Sequence, residues 1–220
     1  MARAFFLLMG FLFSPFSFKG VDLISLIIMG HSQNFIQPSS EGVQLEFGSF
    51  IEQSENGEKY FEGPFGISIG FDQRIYIADD LSHTIYIFHH NHALLKTIGK
   101  RGQKAGEFAW VDAVISDGQG TLYIADTGND RIQILDNLGN PLKTFGRNGT
   151  GSEEFSNPRG LALDSENNMY VADWGNHRVQ VFDPQGKFLR KFGELGSNTG
   201  QLNSPICIYI DQKDQIFIWE

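Results

Sequence analysis

The sequence is poorest in the residue that staples small folds: one cysteine, Cys207, in 220 residues. A lone thiol closes no internal disulfide and leaves no zinc module of paired Cys-x-x-Cys units, so neither a RING finger nor a B-box is present. Cys207 falls in the apolar run from Pro205 to Ile210 and is expected to be a small buried core residue. Positive charge is scarce as well: 17 Lys and Arg stand against 26 Asp and Glu, a formal net charge of -9. Such a chain has little with which to displace counterions from phosphate backbones or anionic lipid, so nonspecific grip on nucleic acid is disfavoured. No stretch of strength shows a helical period. The G-x-S-x-G, H-E-x-x-H and glycine-rich phosphate-loop patterns are missing too, and nothing in the sequence implies a cofactor.

What the sequence does have begins with 41% hydrophobic and 13% aromatic residues, a globular composition. Residues 2–18 carry Arg3, an apolar stretch from Ala4 to Phe13, then Pro15 and Lys19 just beyond, the layout of a secretory signal without an A-x-A-like cleavage site. A second apolar run, Val21 to Met29, would extend it into an uncleaved anchor, and a degenerate N-terminus is the alternative. A signal or anchor would make the chain secreted or membrane-attached, the membrane being met only through this segment; otherwise it is cytoplasmic.

The dominant feature is self-similarity. YIADDLSHTIYIFH begins at Tyr76, YIADTGNDRIQILD at Tyr123 and YVADWGNHRVQVFD at Tyr170, so each copy returns after 47 residues. Gly99, Gly146 and Gly193 keep the same register, as do Pro158 with Pro205 and Asp117 with Asp164 and Asp211. Within a unit, four short runs rich in Val, Ile, Leu, Tyr and Phe alternate with turn residues: Gly160 to Leu163, Met169 to Ala172, Arg178 to Phe182 and Phe188 to Phe192. Four antiparallel strands per unit of this length predict an all-β fold of propeller blades, with strands apolar on both faces because neighbouring blades cover both.

The units resemble NHL repeats, which run from a proline-glycine start through a "YVAD" strand and a "GNHRIQVFD" hairpin to a closing "FG". Pro158-Arg159-Gly160, Tyr170 to Asp173, Gly175 to Asp183 and Phe192-Gly193 carry the resemblance, which covers about residues 42–220. It implies a six-bladed propeller of which this chain holds part: a degenerate piece over 31–60, whole blades over about 61–107, 108–154 and 155–201, and an incomplete one over 202–220. In the leading piece, Gly42 to Gly48 matches an outermost strand and 34–37 a poor third strand. An open arc leaves blade faces bare. Three resolutions stand open: a truncated product of a longer chain, a composite fourth blade made from the two terminal pairs, or missing blades supplied by a second copy.

The resemblance also implies function. NHL propellers commonly present a binding face, and in TRIM-NHL ubiquitin ligases the domain selects substrates or RNA for an attached ligase module. A protein partner or ligand bound by blade loops is the leading expectation; the alternatives are an RNA-binding or substrate-recognition propeller lacking the RING, and a channel-sited metal-dependent lyase or hydrolase. For the last, the innermost strands offer only Ser68, Ser116, Asp164 and Asp211, from which no metal site can be assembled.

Individual residues sharpen this. Asp79, Asp126 and Asp173 close the second strand of their units; in the latter two they precede Gly128-Asn129 and Gly175-Asn176. The carboxylates are expected to accept turn N–H groups and the glycines to take a positive φ. Arg131 and Arg178 restart the next strand, either as charged ligands around the channel or as partners of an Asp in their own or the adjacent blade; the recurrence favours pairing. The first unit lacks both Gly and Arg and should have the least regular turn. Trp174 at a turn tip and Trp110 on the joint before Val111 have no role in the repeat and are candidate binding anchors or packing residues, with His177 beside Trp174 a further binding candidate. His89, His90 and His92 share one hairpin with no carboxylate nearby and read as an exposed loop. Asn148-Gly149-Thr150 is a glycosylation sequon that matters only in a eukaryotic secretory route.

Overall fold

The computed structural model describes residues 36–39, 42–45, 60–70 and 73–220, so the apolar N-terminal segment and the flanks of the first hairpin lie outside the described residues. The chain divides into two compact units, 1–61 and 62–220. In the first, β1 (Ile36–Ser39) and β2 (Gly42–Leu45) pair antiparallel, Ile36 opposite Leu45 and Ser39 opposite Gly42.

The second unit is a run of meanders. Strands β3 (Pro64–Ile69), β4 (Ile75–Asp79), β5 (Thr84–Phe88) and β6 (Leu94–Ile98) form one four-stranded antiparallel sheet. β7 (Val111–Ser116), β8 (Leu122–Asp126), β9 (Arg131–Leu135) and β10 (Pro141–Phe145) form the next. β11 (Pro158–Leu163), β12 (Met169–Asp173), β13 (Arg178–Phe182) and β14 (Phe188–Phe192) form the third. β15 (Cys207–Ile210) pairs with β16 (Ile216–Trp219) as a two-stranded sheet.

Turn chemistry ends each strand on schedule. Asp117, Asp164 and Asp211 follow the first strand of their blades, and each accepts the backbone N–H groups two and four residues on, as Asp164 does from Glu166 (3.0 Å) and Asn168 (2.8 Å). Asp136 and Asp183 close the hairpins between third and fourth strands in the same way. These are turns in which a short carboxylate replaces a backbone acceptor. Asp164 and Asp211 therefore do not stand on inner strands facing a channel, as the sequence suggested; they cap hairpins.

Alternation along the strands fills the space between sheets. Tyr76, Ala78, Ile85 and Ile87 of the first sheet pack on Val111, Val114, Leu122 and Ile124 of the second. One repeat on, Tyr123, Ala125, Ile132 and Ile134 pack on Leu161, Met169, Val171 and Phe182 of the third, and Tyr170, Ala172, Val179 and Val181 pack on Ile208 of the last. The three tyrosines thus hold matching places in successive wedges. The second strands and the third strand of the last complete blade are buried on both faces, each large apolar side chain contributing about 1.5–3 kcal/mol by the area it withdraws from water, whereas Thr84 and Tyr86 leave one face of β5 only partly buried. The first strands converge, β3 on β7, β7 on β11 and β11 on β15. There a side chain has no room: a Cβ at Gly66 would strike the Asp112 carbonyl oxygen, and one at Gly160 would lie 2.7 Å from that of Ile206. Wedge-shaped four-stranded sheets meeting at their narrow first strands are the architecture of a β-propeller, here an arc of three complete blades and the first two strands of another.

Cys207 is half-buried on β15 rather than sunk in a core, and burial still pushes its thiol up to about 11, which leaves little thiolate near neutrality.

Candidate functional site

At one end of the arc, the hairpins between second and third strands meet the segments that lead from one blade into the next. Asp126 closes β8. Its Oδ1 accepts the Ala109 N–H of the lead-in segment (2.7 Å), and its Oδ2 accepts Arg131 Nε (2.6 Å) and Gln133 Nε2 (3.0 Å), with Asn129 Nδ2 donating to both oxygens. Asp173 repeats the pattern with the Ser156 N–H, Asn176, Arg178 and Gln180. Neither carboxylate takes a turn N–H, contrary to the sequence expectation, because side-chain donors of the same hairpin fill its lone pairs.

Both arginines are spent inside the repeat. Arg131 pairs with the aspartate of its own blade and donates through Nη1 and Nη2 to the carbonyls of Gln103, Lys104 and Glu107; Arg178 does so to Thr150, Gly151 and Glu154. The third-blade pair is buried, with Asp173 at 0% and Arg178 at 7% side-chain exposure, and in the second blade Asp126 is buried while Arg131 is partly so. The pairing reading of these arginines, rather than the ligand reading, describes what they touch.

Gly128 and Gly175 do not adopt a positive φ. The left-handed residue of each hairpin comes two places later, at Asp130 (φ 51°) and His177 (φ 55°), and His83 (φ 58°) holds the same place in the first blade. The glycines serve close approach instead: Gly128 N–H bonds the Ala109 carbonyl (2.7 Å) and Gly175 N–H that of Ser156 (2.8 Å), and a Cβ at Gly175 would strike the Ser156 hydroxyl.

The left-handed residues latch one blade to the next. His83 Nδ1 accepts the Trp110 N–H (3.0 Å), Asp130 Oδ1 the Asn157 N–H (2.7 Å) and His177 Nδ1 the Ser204 N–H (3.0 Å). An accepting Nδ1 puts the imidazole proton on Nε2 in both histidines. His177 is thereby placed as a joint between blades. Asn148 of the sequon is exposed, with Nδ2 donating to Asp130 Oδ2 (3.0 Å).

The two tryptophans part company. Trp110, in a left-handed conformation (φ 50°), is 54% exposed. Trp174 lies over the guanidinium of Arg159, 4.7 Å from ring centroid to Cζ, while Phe65 lies 5.7 Å from the same Cζ. Arg159 Nε stands 3.5 Å from Asp112 Oδ2. Phe65, Asp112 and Arg159 are the second residues of β3, β7 and β11, and the strand register shifts at each of them. Such bulges re-aim a side chain. One arginine that touches three blades must lie over their converging ends.

Sequence reasoning missed this cluster, quoting Arg159 only as part of a repeat motif. The signal was present: positions 65, 112, 159 and 206 hold Phe, Asp, Arg and Ile in a register whose neighbours barely change. Deeper in the blades, burial raises Tyr123 to about 12, helped by the charge of Asp117, to which its hydroxyl donates (3.3 Å). His89, His90 and His92 share the β5–β6 hairpin, and burial lowers the His92 pKa. Among the described residues no three His, Cys, Asp or Glu side chains are grouped to hold a metal ion.

A family model described as NHL repeat matches residues 155–182. No curated protein matches the sequence. Among solved structures, the chain is similar to a streptogramin B lyase (15% identity, TM-score 0.56, 72% of this chain and 48% of that one). It is likewise similar to virginiamycin B lyase from Staphylococcus aureus (15%, 0.55, 72% and 49%) and to hydrazine synthase from Kuenenia stuttgartiensis (15%, 0.56, 73% and 42%). At this identity the likeness is one of fold, and the chain spans less than half the length of these structures.

Proposed function

We propose that this β-propeller chain, which matches the NHL repeat over residues 155–182, is a recognition module whose binding face is the end carrying Trp110, Trp174 and Arg159. The supporting observation is where the repeat is broken. Most side chains at this end are consumed by the recurring network of Asp126, Asp173 and their donors, so they answer to the fold. Trp110 does not: its counterparts one and two repeats on are Asn157 and Ser204, and it holds a large apolar surface in water. An exposed indole, with an aromatic-plated arginine among the other side chains of the proposed face, is the composition of a binding hot spot.

Panning a random peptide library on the purified chain tests this, with W110A and W174A as counter-screens. Peptides enriched on the parent and lost on both variants are expected. Enrichment indifferent to both substitutions would overturn the assignment of this face. The lyase or hydrolase reading is supported by likeness of fold alone, and stoichiometric zinc or calcium in the purified protein would favour it over recognition.

A further inference from the structure

We propose that Arg159 is the centre of a carboxylate-binding subsite, taking a ligand that carries a carboxylate next to an aromatic or apolar group. This rests on the recognition reading above and names the chemistry of its site.

Three observations carry it. First, the donors of Arg159 are unspent. Arg131 and Arg178 each make four hydrogen bonds through Nε, Nη1 and Nη2, whereas the Nε of Arg159 is buried without a hydrogen-bond partner. Asp112 at 3.5 Å balances its charge without accepting a hydrogen bond from Nε. The Nε–H is closed off from solvent beside Asp112, so an arriving acceptor meets Nη1 and Nη2, for which no protein acceptor is in place. Second, the guanidinium is held ready: the rings of Trp174 and Phe65 lie against it, and the side chain is 25% exposed, so a ligand can reach it without unfolding anything. Stacking over aromatic faces leaves the in-plane N–H edges directed outward, the fork that matches a carboxylate with two parallel bonds. Third, the same bulge recurs at the second residue of β3, β7 and β11 and brings Phe65 and Asp112 of two other blades to Arg159, and it is the choice of Phe, Asp and Arg at these positions that the repeat does not require.

The same surroundings select among anions. Asp112 offsets most of the local positive charge, and the chain carries -9 in all, so a phosphate dianion meets repulsion that a monoanion largely escapes. The flanking rings reward an apolar neighbour of the carboxylate.

The test is a titration of the full chain followed by NMR of the Trp indole and Arg Nε–H signals. The probes are N-acetylphenylalanine, its C-terminal amide, a blocked peptide with one internal Glu, and inorganic phosphate. N-acetylphenylalanine is expected to shift the Trp174 and Arg159 signals saturably, with a dissociation constant on the order of 1 mM for a ligand of its size. Its amide should bind about tenfold more weakly or less. R159Q should abolish the shift and R159K, which keeps the charge and loses the fork, should weaken it about tenfold. R147Q, which removes the same charge from an exposed pair with Glu154, should bind as the parent does.

The Glu peptide identifies the source of the group: binding by it as well as by the free acid assigns side-chain carboxylates, and binding by the free acid alone assigns chain ends or small acids. Equal binding of acid and amide, equal or tighter binding of phosphate, retention in R159Q, or no binding by any carboxylate probe would overturn the proposal. R159Q that still enriches Trp110-dependent peptides would leave the recognition reading standing while this subsite fell.

Discussion

The first blade and the third solve one problem with different residues. Both place an aspartate at the end of the second strand, buried and surrounded by donors. Around Asp173 the donors are side chains of Asn176, Arg178 and Gln180 plus one lead-in N–H. Around Asp79 they are four backbone N–H groups, from Glu62 (2.7 Å), Gly63 (2.9 Å), Leu81 (3.2 Å) and Ser82 (3.0 Å), because Ser82, Thr84 and Tyr86 stand where Asn, Arg and Gln stand two repeats on. The carboxylate is therefore the fixed hub of the repeat and its donors are exchangeable. Only where the arginine is present does the hub also tie down the carbonyls of the lead-in segment.

Removing the hub breaks that comparison most severely. D173A leaves Arg178 buried without its counterion, and D126A does the same to Arg131; a loss of about 3–5 kcal/mol is expected for D173A. D79A orphans no cation, and its N–H groups are only partly buried, so about 1–3 kcal/mol is expected. Urea unfolding of the two variants should rank them in that order; equal losses would show that the arginine adds nothing to the hub.

Size is exchanged between the blades as well. Leu81, 53% exposed, stands where Gly128 and Gly175 stand later, and Gly63 faces it where Trp110 faces Gly128. In these two joints one bulky and one small residue fill the space, in either order. G175A forces a Cβ onto Ser156 and should cost about 1–3 kcal/mol, while L81A should cost under about 1 kcal/mol because its side chain is half in water. A G175A variant melting with the parent would mean that the joint yields more easily than its backbone hydrogen bond implies.

How far these features could be read from sequence follows from what each depends on. The 47-residue return of Tyr76, Tyr123 and Tyr170 reports strand alternation and wedge packing, which are local and repeated, so architecture and strand positions were legible. Hydrogen-bond direction was not. Gly128 looked like a positive-φ glycine because glycine usually signals that, whereas its real constraint is the Ala109 carbonyl in a segment 19 residues earlier. The latch from His177 to Ser204 and the stack of Trp174, Arg159 and Phe65 depend on which blades are adjacent and how a bulge turns a side chain, and no single unit contains that information.

The latches give the next comparison. D130A removes an acceptor bonded to the Asn157 N–H and, through its other oxygen, to Asn148 Nδ2; H83A removes one neutral nitrogen bonded to the Trp110 N–H. Charged acceptors hold a donor more strongly than neutral ones, so D130A should lose about 1.5–3 kcal/mol and H83A about 0.5–1.5 kcal/mol. Hydrogen exchange at the Asn157 and Trp110 amides reads each joint separately, and faster exchange at Trp110 in D130A than in H83A would contradict independent latches.

The mildest effect concerns acid, and its sign follows from two loops that join the blades and one hairpin within a blade. Glu154 is held below its ordinary value of 4.5 first by the Gly151 N–H and then by Arg147, and Glu107 first by the Lys104 N–H. Asp136 is held below 3.8 first by Asn140. A carboxyl whose folded value is depressed contributes its full stabilisation above the unfolded value and loses it as pH falls through the folded one. Stability should therefore be level above about pH 5 as far as these groups are concerned, and decline below about 4.5 as the three carboxyls protonate. All three are exposed enough for salt to screen their charges, so the decline should be shallow, and E154Q should flatten it without moving its onset. Melting temperature against pH checks this, and a variant whose melting point rises between pH 5 and 3.5 would invert the sign.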